Sequence, residues 1–189
     1  MGKSMMSKLS IMALIVFAMA SLSATASAQP SGPIPCTDEK YRTFDFWIGE
    51  WDVFTVDKSG NKGTKVGRNI ISSEEGGCLI VENWESISGS TGQSYNYFEP
   101  GKNNWRQVWV SRSFVIDYVG DLNEKGEMVL VGEITYRNGN TAPFRGIWTR
   151  LPDQTVRQHF DQFDRANEKW VPWFTGIYER IEQSKNESE

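Results

Sequence analysis

The chain has 189 residues, of which 20 are Lys or Arg and 24 are Asp or Glu, so its formal net charge at neutral pH is −4. It has no basic stripe, which argues against nucleic acid or anionic lipid as a partner. Eight Trp, ten Phe and six Tyr require either a large core or a lined cavity. The composition therefore favours a container or a binding face over a linker or tail.

The first 28 residues have the three parts of a secretory signal peptide. Lys3 and Lys8 give a basic start, an apolar run IMALIVFAMA occupies 11–20, and small residues end the segment at ASA, 26–28. The alternative is a membrane anchor, but the apolar run is too short to span a bilayer. We therefore expect cleavage after residue 28, export to the periplasm or the extracellular space, and no stable membrane insertion. The remaining chain of about 160 residues suffices for one domain.

Two cysteines, Cys36 and Cys78, remain after this segment. Because an exported chain meets oxidising conditions, we expect them to form a disulfide. The bond would tie the Pro-rich lead segment, 29–43, to the third predicted strand, and it would leave no cysteine for catalysis.

From residue 44 onward, β-like runs alternate with short turns rich in Gly, Pro, Asn and Asp. Asn138-Gly139 is the strongest hairpin signal among them. Ten strands are predicted: 46–56, 64–72, 78–86, 93–98, 104–111, 113–120, 127–136, 141–150, 155–163 and 170–181.

These connections predict the architecture. Nearly every one is short enough for a hairpin, so sequential strands should be antiparallel neighbours. We expect an all-β fold, a single antiparallel up-and-down β-barrel of about eight to ten strands over 44–181, because closure removes the sheet edges. A β-sandwich would need a long crossover connection that the sequence lacks. The polar tail, 182–189, is expected to be disordered.

The sequence FDFWIGEWDV, 44–53, leads into the first predicted strand and forms most of it. Its Gly49-x-Trp51 pattern resembles the signature of lipocalins and fatty-acid-binding proteins, together called calycins. With GCLIVENW (77–84), W-x-Q-x-W (105–109) and FTGIYER (174–180), the chain resembles a family of secreted bacterial proteins of unknown function with a lipocalin-like barrel. The resemblance implies that Trp51 plugs the closed end beneath Arg180, so that Gly49, Trp51 and Arg180 are structural. It implies no activity.

Alternation along the strands indicates which side chains share a face. If the aromatic faces point inward, polar groups would lie among the aromatic rings of a cavity, with Phe160 in the wall and Ser94 beside it. Several strands are apolar on both faces, so a hollow barrel and a packed one stay open as alternatives. The candidate ligand-binding residues are Glu82, Trp84, Asn96, Trp105, Gln107, Trp109, Arg145 and Gln158.

An aromatic wall with a few polar groups is typical of a small-molecule site. The sequence therefore favours an exported binder or carrier of a small apolar or aromatic molecule. One alternative is a barrel-type isomerase or cyclase, with Glu82 as base and Arg145 stabilising an enolate. Another is a non-catalytic interaction module of the cell envelope. The sequence contains no nucleophile elbow, phosphate loop or zinc motif.

His159 is the single histidine of the chain. Arg157 and Asp161 share its predicted face, which places it on the solvent side of the barrel. A second-ligand cluster is also missing, so we expect neither metal nor haem, and no other cofactor.

Overall fold

The structure is a computed structural model, and it describes residues 36–57 and 59–181. The predicted signal peptide (1–28), the first part of the lead segment (29–35) and the predicted disordered tail (182–189) lie outside the described residues. Within the described residues, no helix is long and apolar enough to cross a membrane.

The described chain forms a closed barrel in which every strand pairs antiparallel with its sequence neighbour, and the last strand pairs with the first. This confirms the all-β, up-and-down barrel. The strands are β1 (Gly49–Val56), β2 (Lys62–Glu74), β3 (Leu79–Ser86), β4 (Thr91–Glu99), β5 (Asn104–Ser111), β6 (Phe114–Leu122), β7 (Met128–Tyr136), β8 (Thr141–Arg150), β9 (Val156–Asp164) and β10 (Lys169–Arg180).

A short helix, α1 (Glu39–Arg42), and a 3-10 turn, Asp45–Trp47, precede the barrel; a second 3-10 turn, Glu75–Gly77, joins β2 to β3. Strand β1 was expected from residue 46, and it begins at Gly49 because the first 3-10 turn occupies the intervening chain. Phe44, which immediately precedes that turn, and Trp47, its last residue, are fully buried. The turn therefore places aromatic rings in the interior from outside the strands.

These rings fill one end of the barrel, which we call the closed end. The Phe44 ring stacks on Trp47 with centroids 5.1 Å apart, and it meets Trp105 and Trp148 edge-on at 5.6 and 5.3 Å. Trp105 Nε1 donates a hydrogen bond to Thr43 Oγ1 at 2.8 Å, which ties the N-terminal segment to β5. Close packing of four large aromatic side chains leaves this end solid.

Gly49, Trp51 and Arg180 are in mutual contact at the closed end. The Arg180 guanidinium lies over the Trp51 ring, 4.2 Å from its centroid, and Trp51 Nε1 donates to the Trp47 carbonyl at 2.9 Å. Gly49 has a φ of +147°, and a Cβ there would overlap the Arg180 guanidinium. The glycine thus leaves room for the cation above the indole.

Cys36 and Cys78 form a disulfide, as predicted. Their Cα atoms are 5.0 Å apart, and 42 positions separate them in the sequence. The bond fixes the start of the described chain to the residue that precedes β3.

Candidate functional site

The other end of the barrel is hollow. It holds a cavity of about 460 Å³, entered between the β3–β4 connection (87–90) and the β5–β6 connection (112–113). We call this entrance the mouth. The barrel is therefore packed at one end and hollow at the other. The sequence left a packed barrel and a hollow barrel open as alternatives, and each of them describes one end.

The cavity walls are mainly aromatic. Trp84, Trp109, Phe160 and Phe174 line them, each from a different strand. Trp109 packs directly over the backbone of Gly92, where any Cβ would overlap the indole ring. The missing side chain at Gly92 therefore lets the indole lie close against β4.

A buried carboxyl group lies at the inner limit of the cavity. Glu82 is 3% exposed; its Oε1 accepts a hydrogen bond from Asn69 Nδ2 at 2.7 Å, and its Oε2 accepts one from Ser94 Oγ at 2.6 Å. Burial raises its pKa to about 7, although both hydrogen bonds act in the opposite direction. No Lys, Arg or His in the described ranges forms an ion pair with it.

Hydrogen bonds extend from Glu82 in both directions across the barrel. On one side, Asn96 Nδ2 donates to Ser94 Oγ at 2.9 Å, and Gln107 donates to Asn96. Tyr118 donates to Gln107. The side chains on this side of Glu82 are all buried.

On the other side of Glu82, Asn69 Nδ2 also donates to Tyr178 Oη at 3.3 Å, and Tyr178 Oη donates to Gln158 Oε1 at 2.6 Å. The result is one continuous chain of hydrogen bonds across the base of the cavity. We call it the polar floor: Tyr118, Gln107, Asn96, Ser94, Glu82, Asn69, Tyr178 and Gln158.

Both phenols of the polar floor remain neutral. Burial, together with the nearby Glu82 carboxylate, raises the pKa of Tyr118 and of Tyr178 well above the ordinary value. Gln158 also lines the cavity, while its side-chain oxygen accepts from Tyr178. The floor thus offers hydrogen-bonding groups to the cavity, and Glu82 is its one group that can carry charge near neutral pH.

Of the eight candidate residues, five line the cavity: Glu82, Trp84, Gln107, Trp109 and Gln158. Asn96 is fully buried behind Gln107, where it supports the polar floor without lining the cavity. The expected place of Trp105 in a cavity wall was wrong. Its side chain does point inward, but it lies at the closed end, where Phe44 and Trp47 fill the interior.

The expected position of Arg145 in the interior was also wrong. On β8 the inward positions are Phe144 and Gly146, so Arg145 projects outward. Its Nη2 pairs with Asp161 Oδ2 at 2.6 Å, and its guanidinium lies 4.8 Å from the Trp170 ring centroid. The structure therefore does not bring Arg145 and Glu82 together.

His159 shares this outer face. Its Nε2 lies 3.0 Å from Asp161 Oδ1, and its Nδ1 lies 2.7 Å from Thr175 Oγ1. In the part of the chain that the structure describes, no group of three or more His, Cys, Asp or Glu side chains is placed to hold a metal ion.

Three residues of the polar floor escaped the sequence analysis: Asn69, Tyr118 and Tyr178. Alternation did carry the signal for all three. Tyr118 follows the inward Ile116 by two positions, and Tyr178 follows the inward Gly176 by two. Asn69 likewise precedes the buried Ile71. The sequence could not predict the position along the barrel axis at which these side chains meet.

Comparison of the chain with known family models and with curated proteins found no match.

Proposed function

We propose that this protein is an exported, lipocalin-like carrier that binds a small apolar or aromatic molecule in the barrel cavity. The observation that carries the proposal is the hollow end of the barrel, where aromatic walls enclose about 460 Å³ above a polar floor. Ligand sites are typically concave, mostly apolar and of about 300–1,000 Å³, with a few polar groups that fix the orientation of the ligand.

The cavity presents different chemistry to the two ends of a bound molecule. Trp84, Trp109 and Phe160 provide broad apolar faces, and Gln107 and Gln158 provide amides at the floor. Burial of the apolar part of a ligand would favour binding by about 25 cal/mol for each Å² of apolar surface removed from water. A polar end would hydrogen-bond to the floor and set the direction of insertion.

The mouth supports entry of such a ligand. Ile87 and Trp173 stand there with 73% and 42% of their surfaces exposed, so apolar groups continue from the cavity to the outside. Export is supported by the disulfide between Cys36 and Cys78 and by the sequence of residues 1–28. The isomerase or cyclase mechanism in which Arg145 acts with Glu82 is not proposed, because Arg145 lies outside the barrel.

Fluorescence titration with N-phenyl-1-naphthylamine, an apolar aromatic probe, tests the proposal. We expect a saturable response with one site per chain. Trp109→Leu should weaken probe binding, because it removes a wall of the cavity. Trp170→Leu is the matched control, since Trp170 packs against Arg145 on the outer face. A linear, non-saturating response, or equal weakening in both variants, would contradict a site inside the barrel.

Export is tested separately by the mass of the mature protein. We expect the protein recovered from the periplasm or the medium of a bacterial host to lack residues 1–28 and to contain no free thiol. Recovery of the full-length chain from the cytoplasm alone would refute export without bearing on the cavity.

A further inference from the structure

Among the residues that the structure describes, Glu82 is the one acidic side chain in the lining of the cavity. The other charged residue of the lining, Arg112, is exposed at the mouth. The other described lining residues are neutral, so within the described part of the chain the inner cavity has one ionisable group near neutral pH and no cation beside it.

The hydrogen bonds around Glu82 suit a carboxylate. Asn69 and Ser94 donate to different oxygens of the carboxyl group, at 2.7 and 2.6 Å. Ser94 in turn accepts from Asn96, so its hydroxyl hydrogen is directed at Glu82. Donors fixed toward both oxygens favour the ionised form.

These neutral donors do not supply a positive charge. Removing a carboxylate from water without a counter-ion is unfavourable, and for this reason burial outweighs the two hydrogen bonds and raises the pKa of Glu82. Tyr118 and Tyr178, the titratable groups that face it from β6 and β10, are neutral phenols. The site is therefore arranged for an anion whose counter-ion the described chain does not provide.

We propose that the ligand supplies this counter-ion: the cavity binds an aromatic or apolar molecule that carries a protonated amine, and the ammonium group pairs with Glu82. The inference rests on the proposed function, since it names the ligand class of the same cavity. The surrounding rings favour the same chemistry, because the faces of Trp84, Tyr118 and Tyr178 attract cations. Trp84 shares the inward face of β3 with Glu82, two positions away.

Isothermal titration of the purified protein with three naphthalene compounds tests the inference. The compounds share one ring system and differ in the end group: 1-naphthylmethylamine, 1-naphthalenemethanol and 1-naphthoic acid. At about pH 8, where Glu82 is ionised, we expect the amine to bind at least about tenfold more tightly than the alcohol, and the acid to bind least.

Glu82→Gln should lower the affinity for the amine by at least about thirtyfold, the usual effect of removing one partner of a buried charge pair, and lower the affinity for the alcohol much less, so that the preference for the amine is lost. Glu85→Gln is the control, because it makes the same change at an exposed position of the same strand. It should leave all three affinities unchanged.

Proton release gives a second readout that needs no variant. At about pH 6.5 most Glu82 side chains are protonated, so binding of an ammonium group should displace a proton. Titrations in two buffers of different ionisation enthalpy measure this release. We expect a net release with the amine and none with the alcohol.

The outcomes separate this inference from the proposed function. If the alcohol or the acid binds as tightly as the amine, or if the amine releases no proton, the cation inference is wrong and the carrier proposal stands. If none of the three compounds binds and N-phenyl-1-naphthylamine also fails to bind, both proposals fall.

Discussion

Trp51 and Arg180 face each other across the strand pair that closes the barrel, and the Arg180 guanidinium covers the Trp51 indole at 4.2 Å from the ring centroid. β1 and β10 are the first and last strands of the sequence, so their pairing brings distant parts of the chain together. The fully buried indole also donates to the Trp47 carbonyl, which joins the N-terminal segment to this seam.

We therefore expect Trp51→Ala to lower the free energy of unfolding by about 3–5 kcal/mol, the usual effect of emptying a large aromatic site. Urea denaturation measures it. Trp173→Ala, which removes a part-exposed indole at the mouth, is the control and should lower the free energy of unfolding by less. An unchanged midpoint for Trp51→Ala would show that Trp51 is not packed beneath Arg180.

Turn residues in the sequence predicted most of the strands. Alternation showed which side chains share a face, because side chains alternate along a strand, but it left open which face points inward. Alternation could not predict the position of a side chain along the barrel axis. Trp105 and Trp109 share the inward face of β5 but lie about 13 Å apart along it, so the first is in the closed end and the second in the cavity. The boundary between them depends on Phe44 and Trp47, whose 3-10 turn the strand pattern did not indicate. On β8, Pro143 and Ile147 are apolar although they point outward, which hid the orientation of Arg145.

The disulfide should contribute substantially to stability. The double variant Cys36→Ser, Cys78→Ser is expected to lose about 4 kcal/mol, because a bond that closes a loop of this length restricts the unfolded chain. Urea denaturation in the absence of reductant measures the loss. The wild-type protein with its disulfide reduced is the control and should resemble the double variant. Equal stability of the oxidised wild type and the variant would contradict a structural role for the bond.

Gln107→Leu should destabilise the protein as well as alter the cavity. The change leaves the Tyr118 hydroxyl and the Asn96 side-chain oxygen without partners, and each buried unsatisfied group costs about 1–3 kcal/mol. Thermal or urea denaturation detects the loss. Gln93→Leu is the matched control, since Gln93 bonds Asn83 on the exposed face and should change stability by about 0.5 kcal/mol or less. Similar effects of the two variants would argue against the continuous polar floor.

Arg145→Met should affect stability and leave ligand binding unchanged. It deprives the buried Asp161 carboxylate of its cation, and we expect a loss of about 1–3 kcal/mol, limited by the 31% exposure of the Arg145 side chain. Affinity for N-phenyl-1-naphthylamine should stay within about twofold of the wild type. A large loss of affinity at unchanged stability would place Arg145 in the binding site after all.

The last prediction concerns the effect of pH on stability through Glu82, whose pKa is raised from an ordinary value of 4.5 to about 7 by burial. Below about pH 4.5 the carboxyl group is protonated in the folded and the unfolded chain, so it gives no pH dependence. Between about pH 4.5 and pH 7 the unfolded chain releases this proton while the folded chain keeps it, so stability falls as pH rises. Above about pH 7 the folded protein carries the whole penalty of a buried carboxylate, about 3 kcal/mol.

Glu82→Gln removes this titration, so the wild type should lose about 3 kcal/mol relative to the variant between about pH 4 and pH 8. Urea denaturation of both proteins across that range measures the difference between their free energies of unfolding. An effect of the amide on the polar floor that does not depend on pH shifts this difference by a constant and does not change how it varies with pH. Glu85→Gln, at the exposed position of the same strand, should show no comparable slope. If the difference between the two free energies of unfolding did not change with pH, burial would not raise the pKa of Glu82. A difference that grew in favour of the wild type with rising pH would mean that a cation within the chain stabilises the carboxylate, and the ligand would then not be needed to supply one.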